Sequence, residues 1–141
     1  MLNSVKEAAE NFCIHQIGAS CEIKETPTTK RTLIAYIDIQ AQNEKRYRIY
    51  IASDDHFMQR VSKLFLEEDK SDEETLKDMT LETANLIIGS AKVIAEKLGT
   101  TYTIATPHFE KIGMFDFDYD ELKVIHIDND ELIVAIKELD A

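Results

Sequence analysis

The sequence predicts an α+β fold in which long helices pack on a mainly antiparallel sheet. Two patterns along the 141 residues lead to this prediction. First, a helical segment and three strand-like segments are followed by further helices and three more strand-like segments. Second, the strand-like segments alternate apolar and polar residues, which is typical of an antiparallel sheet with one buried face. The repeated order also suggests a diverged internal duplication.

Composition limits the kind of molecule that this chain can be. With 141 residues and 44% hydrophobic content, one domain spanning residues 1–141 can bury a core of ordinary size. The formal net charge of −11 argues against a nucleic-acid-binding surface and against an electrostatic membrane anchor. No apolar run approaches the roughly 18 residues of a membrane span. Residues 1–18 also carry charges throughout, unlike a signal peptide.

Cysteine and histidine spacing predicts no metal or cofactor of the chain's own. Cys13 and Cys21 show neither metal-ligand spacing nor a redox motif, and they are expected to be reduced thiols in a cytoplasmic protein. His108 and His126 lack the partner spacing of a zinc site. The sequence contains no Gly-rich phosphate loop and no nucleophile elbow.

The first half of the chain is predicted to form a helix, three strands and a short helix. Gly18 is expected to end the first helix. Asp54 or Ser53 is suited to begin the short helix. The apolar stripe of that short helix is predicted to be Phe57, Val61, Leu64 and Phe65. The predicted ranges are helix 2–17, strand 19–25, loop 26–29, strand 30–42, turn 42–44, strand 45–53 and a helix ending near Leu66.

The second half is built around a long helix. Residues 67–78 are the most charged run, and they are expected to form a solvated linker and the first turns of this helix. Gly99 is expected to end the helix, before a strand at 102–105. The last two predicted strands, 121–128 and 131–138, form a hairpin around Asp128-Asn129-Asp130.

Two segments allow more than one interpretation. Residues 107–120 alternate aspartates with aromatic residues, and a half-exposed strand or rim loop is favoured over a calcium site. The calcium alternative is weak because the glycine and the distal glutamate of an EF-hand loop are missing. Arg46 and Arg48 lie on a predicted strand, where solubilising charge is favoured over an anion site.

The long helix carries two separate stripes. Apolar residues recur at steps of three and four, so they share one face that is expected to pack on the sheet. They are Leu81, Ala84, Ile88, Ala91, Ala95 and Leu98. A second stripe falls within an arc of roughly 80° at about 100° per residue. Its members are Asp78, Glu82, Asn85, Gly89, Lys92 and Glu96.

Asn85 and Gly89 distinguish the second stripe from an ordinary polar face. Asparagine is a poor helix former because its amide competes for backbone hydrogen bonds. Glycine costs about 1 kcal/mol relative to alanine in a helix interior. Gly89 also removes the side chain that would keep another molecule's backbone away. A solvated face is the common interpretation of such a stripe, and a docking and reacting face is the alternative that these two residues raise.

The spacing of four residues in this region resembles a known signature. Asp78, Glu82 and Asn85 at these helical offsets, followed by Pro107 after twenty-one intervening residues, resemble the motif of the CheC/CheX/FliY phosphatases. The Gly-Ser-Ala that follows Ile88 and the strand leading into Pro107 also fit that family. The family removes phosphate from the chemotaxis response regulator CheY. Its architecture agrees with the predicted fold, including the internal duplication of CheC-like members.

The resemblance implies a role for each of these residues. Asn85 would enter the partner's active site and position the attacking water. Glu82 would pair with the lysine that contacts the partner's phosphoryl group. The magnesium ion would belong to the CheY-like receiver, and this chain would need no cofactor. The residues expected to dock the substrate are Asp78, Gly89, Lys92 and Pro107.

The first helix carries a partial repeat of the motif. Ser4, Ala8 and Asn11 have the same spacing, but Ala8 replaces the acid, so a degenerate second copy would be inactive. An ordinary surface position for Asn11 is the alternative. A single intact copy is closest to CheX. The resemblance implies a chemotaxis phosphatase, and the alternative is a non-catalytic module of the same fold that binds a receiver or a flagellar-switch protein.

A homodimer is expected from the predicted strands. Segments 45–53 and 131–138 are long and fairly apolar and contain no proline. A free strand edge of this kind is usually covered or paired, so pairing with a two-fold mate would extend the sheet. CheX-type members are dimers of this kind, so the resemblance points in the same direction.

Overall fold

The helices and strands follow one another in the predicted order, with the segment 107–120 supplying one further strand. The computed structural model describes residues 2–17, 22–24, 30–42 and 44–139. The predictions for Gly18, Cys21, loop 26–29 and Asn43 lie outside these residues. The elements are α1 (Leu2–Asn11), which continues into a π-helical segment (Phe12–Ile17), β1 (Glu22–Lys24), β2 (Arg31–Ala41), β3 (Arg46–Asp54), α2 (Asp55–Leu66), α3 (Glu73–Lys97), β4 (Tyr102–Ile104), β5 (His108–Met114), β6 (Glu121–Ile127) and β7 (Asp130–Glu138).

The strands form one antiparallel sheet of seven strands in the described part of the chain. Their order across the sheet is β1-β6-β7-β3-β2-β4. β5 also pairs with β2, further along that strand than β4 does. The hairpin β6–β7 turns through Asp128, whose φ of 57° is left-handed, as tight hairpin turns require. The α+β fold class and the antiparallel sheet are confirmed.

The prediction that segments 45–53 and 131–138 are free edges is wrong. β3 pairs with β2 on one side and β7 on the other, and β7 lies between β6 and β3. Every residue from 130 to 136 is buried, because both faces of β7 are covered. A continuous apolar run of this kind is typical of an interior strand. The homodimer expectation therefore loses its structural argument.

The two faces of the sheet are covered differently. All three α-helices pack on one face, where alternate residues of β2, β3 and β7 join them in the main core. The other face carries a smaller cluster that includes Ile34, Val124 and Ile133. Phe115 and Phe117 close this second cluster, with ring centroids 5.4 Å and 4.9 Å from that of Tyr50. The segment 107–120 is therefore an edge strand, β5, followed by an aromatic loop that covers the helix-free face.

The edge formed by β4 and β5 is irregular. β4 pairs residue Ile104 with Ile39, whereas β5 pairs His108 with Tyr36, so one extra residue lies in the intervening bulge. Pro107 lies in this bulge and lacks a backbone N–H. A second register shift follows within β5. Proline and bulges are devices that prevent an edge strand from pairing with another chain.

The short helix α2 begins as predicted and packs differently. The Asp54 carboxylate accepts a hydrogen bond from the Phe57 backbone N–H at 2.9 Å and caps the helix. Leu64 and Phe65 were expected in the core, but they are 49% and 40% exposed. Ser62 is buried instead because its hydroxyl hydrogen-bonds to the Ser71 hydroxyl in the α2–α3 linker. The buried stripe of α2 is therefore Phe57, Met58, Val61 and Ser62.

The partial motif of the first helix does not form an exposed stripe. Ser4 and Ala8 are buried against the rest of the molecule, and Asn11 is exposed. The three residues therefore do not present a second surface of the α3 kind. No helix in the described ranges is long and apolar enough to cross a membrane.

Candidate functional site

The candidate site lies on α3, a helix of 25 residues. Asp72 caps its start with a 2.8 Å hydrogen bond from the Thr75 backbone N–H, and Gly99, with φ of 86°, follows its end. The cap lowers the pKa of the Asp72 carboxyl through its hydrogen bonds with Thr75. Nine residues of α3 are buried, so the helix is held along its whole length.

The buried face of α3 differs in part from the predicted apolar stripe. Ala84, Ile88, Ala91 and Ala95 are buried as expected. Leu81 is only half-buried, because it lies on the side of α3 that faces the open edge of the sheet. Leu98 is 75% exposed, because it forms the C-cap where the chain leaves the helix. The buried face also includes Leu76, Met79, Thr80, Thr83 and Ile87.

The second stripe is presented to solvent. Asp78, Glu82 and Asn85 are exposed, and Gly89 and Lys92 are half-exposed on the same face. Within the described residues, no hydrogen bond or ion pair joins the Glu82 carboxylate or the Asn85 amide to another group. Both groups therefore remain available to a water molecule or to a partner. Their exposure agrees with the prediction.

Gly89 leaves an open space beside these two residues. A Cβ atom built at Gly89 would have no neighbouring atom within 4 Å. Glycine is therefore not required here by packing within the chain. Leu86 and Val93, 40% and 52% exposed, lie one turn to either side. The two residues belong to neither of the stripes that periodicity reveals. Their signal in the sequence is an apolar pair seven residues apart on the outer face of the helix.

Pro107 lies in the bulge between β4 and β5, on a sheet edge that α3 contacts at two points. Near the start of α3, the Lys77 ammonium is 5.7 Å from the centroid of the Phe109 ring in β5. Near its end, Lys92 and Glu96 line a depression of about 400 Å³ together with residues of β4. The helix thus runs alongside the edge from β5 to β4. The bulge that holds Pro107 falls between β4 and β5, and so between these two contacts along the edge.

A larger depression, of about 590 Å³, lies where β3 ends, around the N-terminus of α2. Its charged groups are engaged with one another. Asp130 accepts hydrogen bonds from Arg60 at 3.1 Å and His56 at 2.7 Å, and Lys30 contacts Asp54 at 3.1 Å. These pairs hold α2 against the β6–β7 hairpin. The charged residues that line the depression therefore have a structural role. No group of three His, Cys, Asp or Glu side chains within the described ranges could hold a metal ion.

Arg48 is held within the sheet surface. Its guanidinium donates two hydrogen bonds to the Asp38 carboxylate, at 2.7 Å and 3.0 Å, and lies 4.0 Å from the centroid of the Tyr36 ring. The hydrogen bonds with Asp38 raise the pKa of Arg48. The contact with the Asp38 carboxylate uses two of the guanidinium donors and balances its charge, which counts against the anion-site alternative for Arg48.

Comparison with known proteins gives two findings. A family model described as "Chemotaxis phosphatase CheX" matches residues 34–128 of the chain. No curated protein sequence matches the chain. The matched segment contains every residue of the candidate site on α3 as well as Pro107.

Several solved structures share the fold. Chemotaxis protein CheX from Vibrio vulnificus has a TM-score of 0.75 at 18% identity, with 97% of each chain covered. CheX from Desulfovibrio desulfuricans has a TM-score of 0.73 at 18% identity, covering 96% of this chain and 97% of that one. A CheX-CheY-BeF3-Mg²⁺ complex from Borrelia burgdorferi has a TM-score of 0.67 at 18% identity, with 97% of each chain covered. These likenesses establish a common fold over nearly the whole chain.

Proposed function

The chain belongs to the CheX family of chemotaxis phosphatases, and we propose that it accelerates hydrolysis of the aspartyl phosphate on a CheY-like response regulator. The observation that carries this proposal is the exposed pair Glu82 and Asn85, free of partners within the described residues and held on a firmly packed helix. Residues built on a rigid element hold their geometry better than residues on a loop.

Asn85 is assigned the positioning of the attacking water. Hydrolysis of an aspartyl phosphate needs a water in line with the phosphorus–oxygen bond, and positioning supplies most of the catalysis in phosphoryl transfer. The carboxamide oxygen can accept a hydrogen bond from that water, and the amide N–H₂ can donate to a phosphoryl oxygen. No strong base is needed for this task.

Glu82 is assigned an ion pair with a lysine of the receiver. The two side chains project from successive turns of one face, since residues three apart on a helix are neighbours. A carboxylate–lysine pair at a partly desolvated contact fixes the register of the complex. Asn85 would then be held at the phosphoryl group. The remaining docking contacts are assigned to Asp78, Gly89, Lys92 and Pro107, which lie on the same face or at the adjacent edge.

The magnesium ion of the reaction is assigned to the receiver. The Borrelia burgdorferi structure contains CheX, CheY, BeF3 and Mg²⁺ together. Beryllofluoride on a carboxylate has the shape and charge of a phosphoryl group, so such a complex resembles the phosphorylated partner.

Three further properties belong to the same proposal. Residues 1–141 are taken as one CheX-like phosphatase domain. The protein is placed in the cytoplasm with its CheY-like partner, in keeping with Cys13 as a buried thiol. A homodimer is proposed from the resemblance to CheX alone. Sedimentation at micromolar concentration tests the dimer, since a mass near 16.1 kDa would correspond to a single chain.

The deciding experiment measures phosphate loss from a phosphorylated CheY-type receiver of the same genome, with and without this protein. The wild-type chain should accelerate the loss. Asn85→Ala should abolish the acceleration while the protein stays folded and still binds the receiver, because only water positioning is removed. Asn11→Ala is the matched control, since it removes an exposed asparagine from another helix.

Two results would count against this assignment. Wild-type turnover in Asn85→Ala would show that the mechanism is wrong. Binding without any acceleration by the wild-type protein would favour the alternative, a non-catalytic module that docks a receiver. Both results are readable from the same samples.

A further inference from the structure

We infer that Leu86 and Val93 form an apolar docking surface for the phosphorylated receiver, on either side of Gly89. This inference rests on the proposed function, because it takes the receiver as the partner of α3. It adds two residues that lie outside the phosphatase motif. They would determine how tightly the receiver binds and leave the chemical step to Asn85.

The exposure of these two side chains is the first argument. Leu86 is 40% exposed and Val93 is 52% exposed, whereas the leucine and isoleucine side chains on the opposite face of α3 are buried. Packing within the chain therefore does not account for either residue. A single exposed apolar residue needs no explanation. Two on one face, on either side of Gly89 and next to Asn85, call for one.

Their spacing is the second argument. Seven residues separate Leu86 from Val93, which places them on nearly the same side of the helix and about 10.5 Å apart along its axis. Gly89 falls between them, within roughly 60° around the axis. The absence of any atom within 4 Å of a Cβ at Gly89 makes this interval a shallow saddle. Two apolar knobs with a saddle between them fit a convex apolar element of a partner.

Continuity with the motif identifies the occupant. Leu86 follows Glu82 by one helical turn and is adjacent in sequence to Asn85. A receiver held at Glu82 and Asn85 would therefore also cover Leu86. The charged side chains of Glu82 and Glu96 lie beside the apolar pair, one helical turn before Leu86 and three residues after Val93. An apolar centre with a polar rim is the usual anatomy of a protein interface.

The contact also has a chemical consequence. Apolar side chains that exclude water at the centre of an interface strengthen the polar contacts beside them. Coverage of Leu86 would lower the dielectric around the Glu82–lysine pair and so strengthen it. Bulk water would be kept from the phosphoryl group, apart from the one that Asn85 positions.

The test replaces apolar groups without disturbing the helix. The double variant Leu86→Gln, Val93→Thr keeps side-chain size and ordinary helix propensity, and removes the apolar surface. Leu64→Gln on α2 is the control, because Leu64 is 49% exposed and lies on a different helix. Each protein is titrated with a receiver loaded with beryllofluoride and Mg²⁺, and each is assayed for turnover of the phosphorylated receiver.

The double variant should raise both the Kd for the loaded receiver and the KM about tenfold, which corresponds to roughly 1.4 kcal/mol. Its kcat at saturation and its thermal midpoint should match those of the wild type, because a purely structural role would lower the midpoint instead. The Leu64→Gln control should leave Kd and KM unchanged. Unchanged values in the double variant would overturn the docking surface and leave the phosphatase assignment standing.

Two other results separate this inference from the proposed function. Wild-type protein that binds the loaded receiver without accelerating hydrolysis, with weaker binding in the double variant, would support the docking surface and contradict the phosphatase. Wild-type protein that binds no receiver would overturn both.

Discussion

Asn85 occupies a position where local stability favours another residue. Asparagine is several tenths of a kcal/mol less favourable than alanine in a helix interior. Its amide makes no compensating hydrogen bond within the described residues. A residue that costs stability and contacts nothing in its own chain is expected where function requires it. The amide also does not titrate in the ordinary range, so Asn85 itself would give the reaction no pH dependence.

Glu82 offers a test that separates charge from shape. Glu82→Gln keeps the size and hydrogen-bonding reach of the side chain and removes its charge. The ion pair to the receiver lysine would be lost, so kcat/KM should fall by roughly tenfold or more, mainly through KM. Steady-state turnover over a range of receiver concentrations measures the two terms separately.

The control for Glu82 lies on the same face of the helix. Glu96→Gln removes an equal charge fourteen residues away, about 21 Å along the axis. It should change kcat/KM by much less. Equal effects of the two substitutions would mean that only the net charge of the face matters, which contradicts a specific pair at Glu82.

Tyr102 offers a stability test away from the reaction. Its side chain is 3% exposed, and its hydroxyl is buried with no hydrogen-bond partner among the described residues. An unsatisfied buried hydroxyl costs about 1 kcal/mol or more, so Tyr102→Phe should stabilise the protein by about that amount at neutral pH. Chemical denaturation measures the difference.

The same residue predicts a pH dependence with a definite sign. Burial, assisted by the nearby charge of Glu96, raises the pKa of Tyr102 from 10.0 to about 12. The folded protein thus holds this proton more tightly than the unfolded chain does. The contribution is constant below about pH 10 and is lost as pH rises towards 12. Relative to wild type, Tyr102→Phe should lose less stability over that interval, and parallel curves would contradict the shift.

At the level of single residues, the sequence was informative where a residue is unfavourable for the helix in which it lies. Asn85 and Gly89 violate helix propensity, and that violation predicted an exposed, open face. Leu86 and Val93 violate nothing in the sequence, because an apolar residue in a helix is assumed to be buried. Their exposure depends on where the sheet and α1 lie. The periodicity of one helix does not reveal the positions of these other elements.

The helix α3 acts as a rigid support for this face. Its nine buried residues pack on β2 and on the neighbouring helices, and both ends are capped. A helix held in this way can carry unfavourable residues on its outer side without fraying. Burial of apolar residues on the opposite side of the helix thereby offsets the unfavourable helix propensity of Asn85 and Gly89.

Gly89 should reveal a conflict between stability and function. Gly89→Ala should raise the free energy of unfolding by about 0.5–1 kcal/mol, because alanine is the better helix former and its Cβ would meet no atom. The same methyl group would enter the space expected for the receiver, so kcat/KM should fall several-fold. Thermal unfolding and turnover assays together test this expectation.

Gly99 provides the opposite control. Its φ of 86° is left-handed, so Gly99→Ala should destabilise the protein by about 1 kcal/mol. A more stable Gly89→Ala variant with unchanged kcat/KM would contradict the docking role of Gly89 while leaving the helix argument intact.

At the level of elements, the local sequence pattern predicted which helices and strands form better than it predicted which strands pair with each other. The helices and most strands were predicted within a few residues, because amphipathic periodicity reports burial on one side. β3 and β7 were predicted to be edge strands. The charges at their ends and their lack of proline do not tell whether each strand has a neighbour on one side or on both. β5 remained ambiguous because its two register shifts break the alternation that identifies a strand.

At the scale of the whole molecule, α3 lies on one face of the sheet and the negative charge is concentrated in the second half of the chain. The helices cover one face of the sheet and the aromatic loop covers part of the other, so α3 is presented at one side near the irregular edge. Residues 67–141 hold 19 of the 27 acidic residues and 7 of the 16 basic ones, so the negative charge lies in the second half of the chain, which includes α3. Long-range charge influences how fast a partner arrives, whereas contacts at α3 decide how long it stays.

The net charge and the proposed Glu82–lysine pair together predict that salt raises both rate constants of binding. For an acidic receiver, repulsion between the two molecules is screened as ionic strength rises, since the Debye length is about 10 Å at 0.1 M. The association rate constant should therefore increase with salt. The dissociation rate constant should increase as well, because salt weakens the Glu82–lysine pair. Stopped-flow binding of a receiver loaded with beryllofluoride and Mg²⁺ resolves both constants.

Remote charges supply the matched variant for this test. Asp118 and Glu121 are exposed carboxylates outside α3, and Asp118→Asn with Glu121→Gln changes the formal net charge from −11 to −9. At low salt this variant should associate faster than the wild type, with an unchanged dissociation rate, and the two proteins should converge at high salt. An altered dissociation rate would mean that these residues contact the receiver, and the separation between distant charge and local contact would then be wrong.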